Sequence, residues 1–154
     1  MTGTQSPSSQ RQGSTYGGWA SAVLLPAAAT TVVYAPMILS RPNLWDDLPV
    51  LLGLTWFVVL ILAAPVTAAV VNRRWPVATT TTRACLLGLP QLPLAIVLMR
   101  LDIWLDVRSG YLLAGSGEVD MALGWGIMMA TGVGLVLTVL VAAAARVGAR
   151  QHPA

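Results

Sequence analysis

The chain is 154 residues long, 56% hydrophobic and only 10% charged, with mean hydropathy +0.71 and a formal net charge of +3. A soluble domain carries about a quarter charged residues, so long apolar runs, not one compact core, must account for the excess. A single cysteine, Cys85, excludes an internal disulfide or a Cys-x-x-Cys redox pair. The single histidine, His152, gathers no ligand set, so neither metal nor cofactor is expected.

In chain order, residues 1–18 are Ser, Gln, Gly and Thr with Arg11 as the one charge. They bury too little apolar surface to order themselves and read as a flexible cytoplasmic tail. A first apolar segment follows, read as a helix over about 19–40. Val33-Tyr34-Ala35 resembles a small-residue cleavage site, but Pro36 would follow the cut and only Arg11 precedes the segment, so a spanning helix is the better reading. A second helix is expected over 48–72, a third over 83–107 and a fourth over 119–147, with a short tail over 148–154. About 20 residues at 1.5 Å each cross a ~30 Å hydrocarbon layer. Alternation of period two is absent, and a helix satisfies its own backbone in lipid. The expected fold is therefore an all-α membrane protein, a four-helix up-down bundle with residues 19–147 as its transmembrane domain.

An even number of spans leaves both termini on one side. Arg11, Arg73, Arg74, Arg83, Arg146 and Arg150 share that side with no carboxylate. The other side holds Arg41, Arg100 and Arg108 and every acid: Asp46, Asp47, Asp102, Asp106, Glu118 and Asp120. The excess of arginine places both termini in the cytoplasm. Helix dipoles alone favour acids at N-termini and arginines at C-termini. They fail for Arg83 at the start of the third helix and for Asp102 and Asp106 at its end. With arginine as the only long cation and Ala, Val and Gly abundant, the composition suggests a GC-rich bacterium, hence the inner membrane. Tyr16, Trp19 and Trp75 near one boundary, and Tyr34, Trp45, Trp104, Tyr111 and Trp125 near the other, read as interfacial belts.

The stretch Met99-Arg-Leu-Asp-Ile-Trp-Leu-Asp-Val-Arg108 is charge-dense for this chain. Arg100 lies about 25 Å along the helix from Arg83, near the outer headgroups. The stretch reads as a helix end entering water, with an arginine over Trp104. The acids of that side form an outer rim able to attract a cation or a basic partner.

Two features lie within the spans. Ala122, Gly126, Ala130, Gly134 and Thr138 repeat a small residue every fourth position, continued by Ala142. Such a stripe lets two helix backbones approach closely. Its partner is another helix of this chain, a second copy or another membrane protein. In the third helix, Pro90 and Pro93 flank Gln91 and free the carbonyls of Leu86 and Leu89. Broken helices with a mid-membrane polar group build transporter sites, whereas a kink with Gln91 bonded across the bundle, to Thr30 or Thr31, is purely structural.

Catalytic constellations are missing from the sequence: there is no nucleophile elbow and no phosphate-cradling glycine loop. No glutamate lies within the spans for proton coupling, and one phenylalanine, Phe57, cannot line an aromatic pore. Met37, Met99 and Met121 near the outer boundary do not form a metal motif and read as bundle filler. The arginines are too few and too divided for nucleic acid, while Arg73, Arg74 and Arg83 suit anionic lipid. The expected role is a non-enzymatic accessory or scaffold subunit acting by helix packing on a membrane partner or its own copy. The alternative is a small oligomeric transporter or channel with its site at the kinked third helix.

Overall fold

A computed structural model describes residues 8–39, 50–115 and 117–150. It is all helical, 88% helix, and no strand occurs among the described residues. The helices are α1 (Ser8–Leu39), α2 (Val50–Arg74), α3 (Thr81–Gly88), α4 (Gln91–Ser109) and α5 (Gly117–Arg150). Helices α3 and α4 are two halves of one span, so among the described residues four helical spans are long and apolar enough to cross a membrane. Only 22–28% of each span's most apolar window is buried inside the chain. The rest, including Leu24, Val32, Leu54, Leu62, Val70 and Val139, points outward. Water would penalise such a surface heavily, and a lipid environment does not. The chain fits a multi-pass membrane protein.

α1 is helical from Ser8, earlier than the expected start at residue 19. Once a helix is nucleated, each added residue costs little and gains a hydrogen bond, and Gln10, Arg11 and Gln12 are adequate helix formers. α5 likewise runs to Arg150, into the segment read as a tail. At 1.5 Å per residue its 34 residues extend about 50 Å, well beyond the hydrocarbon layer.

The break in the third span is milder than two prolines suggest. Leu89 and Pro90 both keep right-handed helical dihedrals. Leu89 N–H donates to Cys85 O at 3.0 Å and Leu94 N–H to Pro90 O at 3.2 Å, so the ladder continues across the joint. Pro90 caps α4 and Pro93 lies in its first turn, where a missing amide donor costs nothing. At the other end of the span, Thr80 caps α3, its side chain accepting from Arg83 N–H.

α5 is the hub, packing against α2, α3 and α4, while α1 packs chiefly on α2. Gly88 lies against Thr138, Gly134 against Leu92 and Ala95, and Gly126 against Met99 and Ile103. Residue numbers rise along the third span as they fall along α5. A Cβ added at Gly134 would stand 3.0 Å from the Leu92 Cα, and one at Gly88 would run into the Thr138 carbonyl. Two cores form, the first near the arginine-rich end and the second toward the middle of the spans. One joins Ala22, Val71, Val77, Ala78, Ala84, Leu87 and Ala145; the other joins Ala64, Ala68, Leu137 and Val141. Alanine supplies four of the seven residues of the first and two of the four of the second. Short side chains keep the axes close, which lets van der Waals contact hold helices together where lipid supplies no hydrophobic drive.

Candidate functional site

Most hydroxyls in the spans stay on their own helix. Thr31, Thr67, Thr131 and Thr138 donate to the carbonyls of Ala27, Ala63, Ile127 and Gly134, each four residues back. Thr30 reaches across to another helix. Its Oγ1 donates to Gln91 Oε1 at 2.9 Å and lies 3.2 Å from Pro26 O. A hydroxyl has one proton and serves one acceptor at a time. If the Gln91 amide turns over, its Nε2 donates to Thr30 Oγ1 while Thr30 donates to Pro26 O, so the hydroxyl both accepts and donates. Gln91 is 1% exposed and Thr30 3%, so this pair is sealed inside the bundle. Of the two threonines expected to meet Gln91, Thr30 does so; Thr31 is exposed and bonds within α1.

A second buried amide was not anticipated. Asn72, wholly buried in the last turn of α2, donates through Nδ2 to Ala145 O at 2.7 Å and accepts from Ala78 N–H at 3.0 Å through Oδ1. It ties α2, the 75–80 turn and α5 together. Arg146 adds a hydrogen bond to Thr79 O on the same turn. The available signal was an uncharged amide placed before Arg73 and Arg74, where a solvated helix end would carry another charge.

Beside the Thr30–Gln91 pair lies an apolar chamber of about 130 Å³. Thr30, Tyr34 and Met37 of α1, Phe57 of α2, Met99 of α4 and Ala130 of α5 are among its walls. Phe57 and Met129 in its wall are also exposed on the outer surface, so the space opens toward the lipid side of the bundle. Phe57, Met129 and Val133 also border a second space of about 250 Å³ between α2 and α5, with Gly132 in its wall. Met37 and Met99 line the chamber together with Met129, whereas Met121 lies in a separate pocket near Trp125. Among the described residues, no three His, Cys, Asp or Glu side chains gather as a metal site.

The small-residue stripe turns inward. Gly126, Ala130 and Gly134 are buried, Ala122 and Thr138 half-buried, and the three contact points at Gly126, Gly134 and Thr138 all face the third span of the same chain. Gly124 and Gly132, on another side of α5, have open space where a Cβ would stand.

The acidic rim is divided. Asp46 and Asp47 lie outside the described residues, as does Arg41. Asp102 and Asp106 are half-buried on α4, and Glu118 and Asp120 are exposed on the first turn of α5. Arg108 stacks over the Trp104 ring at 5.4 Å, the expected cation–π contact, and Arg74 over Trp75 at the same distance. Arg100 is exposed.

No family model matches the chain, and no curated protein or solved structure was found to match it.

Proposed function

We propose that this chain is a non-enzymatic accessory or scaffold subunit of a bacterial inner membrane, an up-down bundle with both termini in the cytoplasm. It acts by packing against another membrane helix. The observation that carries this reading is the contrast between the two glycine sets of α5. Gly126 and Gly134 are used up by the chain's own third span, while Gly132 lies in the wall of the outward space between α2 and α5, bordered by Phe57, Ile61, Met128 and Val136. A glycine open to lipid next to ridges of larger side chains suits a partner helix, since close backbone approach drives association in lipid. The buried amides support a rigid scaffold: Gln91 and Asn72 both spend their hydrogen bonds on holding helices together.

The test is co-purification in mild detergent followed by mass spectrometry. Gly132→Leu should remove a stoichiometric partner, or the chain's own dimer, while leaving the monomer's helix content and unfolding curve unchanged. Recovery of the same complex from Gly132→Leu would end the proposal. For orientation, Thr82→Cys and Ala114→Cys in a Cys85→Ser background should differ. An impermeant thiol reagent added outside the cell should modify position 114 and spare position 82.

A second reading is favoured by the chamber beside Thr30. In a small oligomeric transporter or channel, that space would hold an apolar molecule, and the Thr30–Gln91 contact would open to let it pass. Purified protein in liposomes would then show flux that Gln91→Leu abolishes while assembly survives. The accessory reading expects no flux from the isolated chain.

A further inference from the structure

One end of the molecule carries an open pocket with two aromatic rings and one carboxylate in its lining. The first two turns of α5 place Glu118, Met121, Ala122 and Trp125 at positions i, i+3, i+4 and i+7, hence on one face. The turn after α4 folds beside that face. Gly110 adopts a left-handed conformation, φ 80°, which reverses the chain. Tyr111 N–H and Leu112 N–H then both donate to Asp106 O, at 3.0 and 3.2 Å. Those two bonds hold the Tyr111 and Leu112 backbone in place. Tyr111, Leu112, Glu118, Met121, Ala122 and Trp125 together line an open pocket of about 600 Å³. The two rings remain 57% and 58% exposed, and Glu118 has no hydrogen bond or ion pair among the described residues.

From this arrangement we infer that the pocket binds the ammonium group of an amphiphilic organic cation. Aromatic faces attract a cation through the ring quadrupole, most strongly for tryptophan and tyrosine. Glu118 supplies the one formal charge in the lining, and it is negative. Leu112, Met121 and Ala122 offer an apolar floor for the chain attached to the ammonium. An anionic headgroup would meet Glu118 and be repelled. The N-terminus of α5 carries positive helix-dipole charge, but Glu118 and Asp120 in its first turn offset that charge. The chemistry is shared by a phospholipid with an ammonium headgroup and by a free cationic amphiphile. The inference is independent of the scaffold reading, because it uses neither Gly132 nor the space between α2 and α5.

The experiment titrates the purified full chain, in uncharged maltoside micelles, with dodecyltrimethylammonium, and with dodecyl sulfate as the anionic control. Saturable binding of the cation is expected. Glu118→Gln and Trp125→Leu should each weaken it about two- to fivefold. Both side chains are exposed, so helix content should be unchanged, which circular dichroism checks. Asp120→Asn removes a neighbouring charge outside the pocket and should leave binding unaltered. Equal binding by Glu118→Gln and wild type, equal binding of dodecyl sulfate, or equal weakening by Asp120→Asn would each overturn the inference. Native mass spectrometry from nanodiscs then separates the two sources. Retention of phosphatidylethanolamine over phosphatidylglycerol, lost in Glu118→Gln, identifies the headgroup. Binding of dodecyltrimethylammonium without lipid retention identifies a free amphiphile.

Discussion

The two halves of the bundle are built differently. Toward Arg73 and Arg146, the buried residues are mostly alanine, and Asn72 locks α2, the 75–80 turn and α5 into one unit. Beyond the Thr30–Gln91 pair, the interior is lined by Leu60, Leu98, Met99 and Tyr34, and about 130 Å³ is left among them. Side-chain size accounts for the contrast. Alanine lets helices close to backbone contact, where an amide can reach a carbonyl on the neighbouring helix. Leucine, methionine and tyrosine fill the second half less completely and leave space among them, although Gly126 still meets Met99 and Ile103 there. Cohesion in the first half comes from contact and buried-amide hydrogen bonds, and in the second from side-chain packing around that space.

The largest effect that would break this comparison is expected at Gly88. One methyl there runs into the Thr138 carbonyl, which belongs to a helix backbone and cannot turn aside. Gly88→Ala should therefore destabilise the bundle by roughly 3 kcal/mol, at the top of the range for overpacking. Gly132→Ala, on the open side of α5, should change stability by less than about 0.5 kcal/mol. Unfolding in mixed micelles measures both. Equal effects would mean that the close approach of α3 to α5 is unimportant.

Asn72→Ala comes next. It leaves the buried Ala78 N–H without its acceptor and removes the bond to Ala145 O, which should cost roughly 2 kcal/mol. Amide exchange should rise first at Ala78 and along the 75–80 turn, while α4 near Leu98 stays protected. Uniform loss of protection would show the two halves to be a single cooperative unit.

Gln91→Leu should cost less, about 1 kcal/mol, because membrane hydrogen bonds between helices contribute modestly. Thr30 keeps Pro26 O as an alternative acceptor. Combined with Thr30→Val, the double variant should cost about 0.6 kcal/mol less than the sum of the two single variants. A coupling of zero would show that the two side chains do not share a bond.

The four spans were legible because hydropathy and length are one-dimensional properties, and each apolar run exceeds the bilayer thickness. The stripe from Ala122 to Thr138 was legible as a packing face because a spacing of four places residues on one side of a helix. Its partner was not legible, since periodicity on one helix carries no information about which neighbour it meets. The same limit applied to Gln91. Its need for a partner followed from burial, but the choice of Thr30 over Thr31 depends on the rotation of α1, about 100° per residue. Asn72 escaped notice because its partners are backbone atoms of Ala78 and Ala145, six and 73 positions away. The chamber could not be read at all: a void is the mismatch of several side chains, and no single residue encodes it. The pocket at Glu118 was half legible. Its acid and aromatics were assigned separately to a rim and a belt, and only the turn at Gly110 brings Tyr111 beside Trp125.

The smallest effect tests the looser half directly. Trp56 precedes Phe57, which lines the chamber, and its indole N–H is buried with no hydrogen-bond partner among the described residues. In the tighter half, the buried Asn72 amide bonds both α5 and the 75–80 turn. An unpaired buried donor costs about 1–3 kcal/mol, whereas replacing indole by a smaller ring forfeits some contact. Trp56→Phe removes the donor and most of the cost together, so the isolated chain should become more stable by up to about 1 kcal/mol, or stay unchanged. A loss of 2 kcal/mol or more would show that the packing of the larger ring outweighs the unpaired donor, and that this half of the bundle is held by side-chain contact as firmly as the half around Asn72.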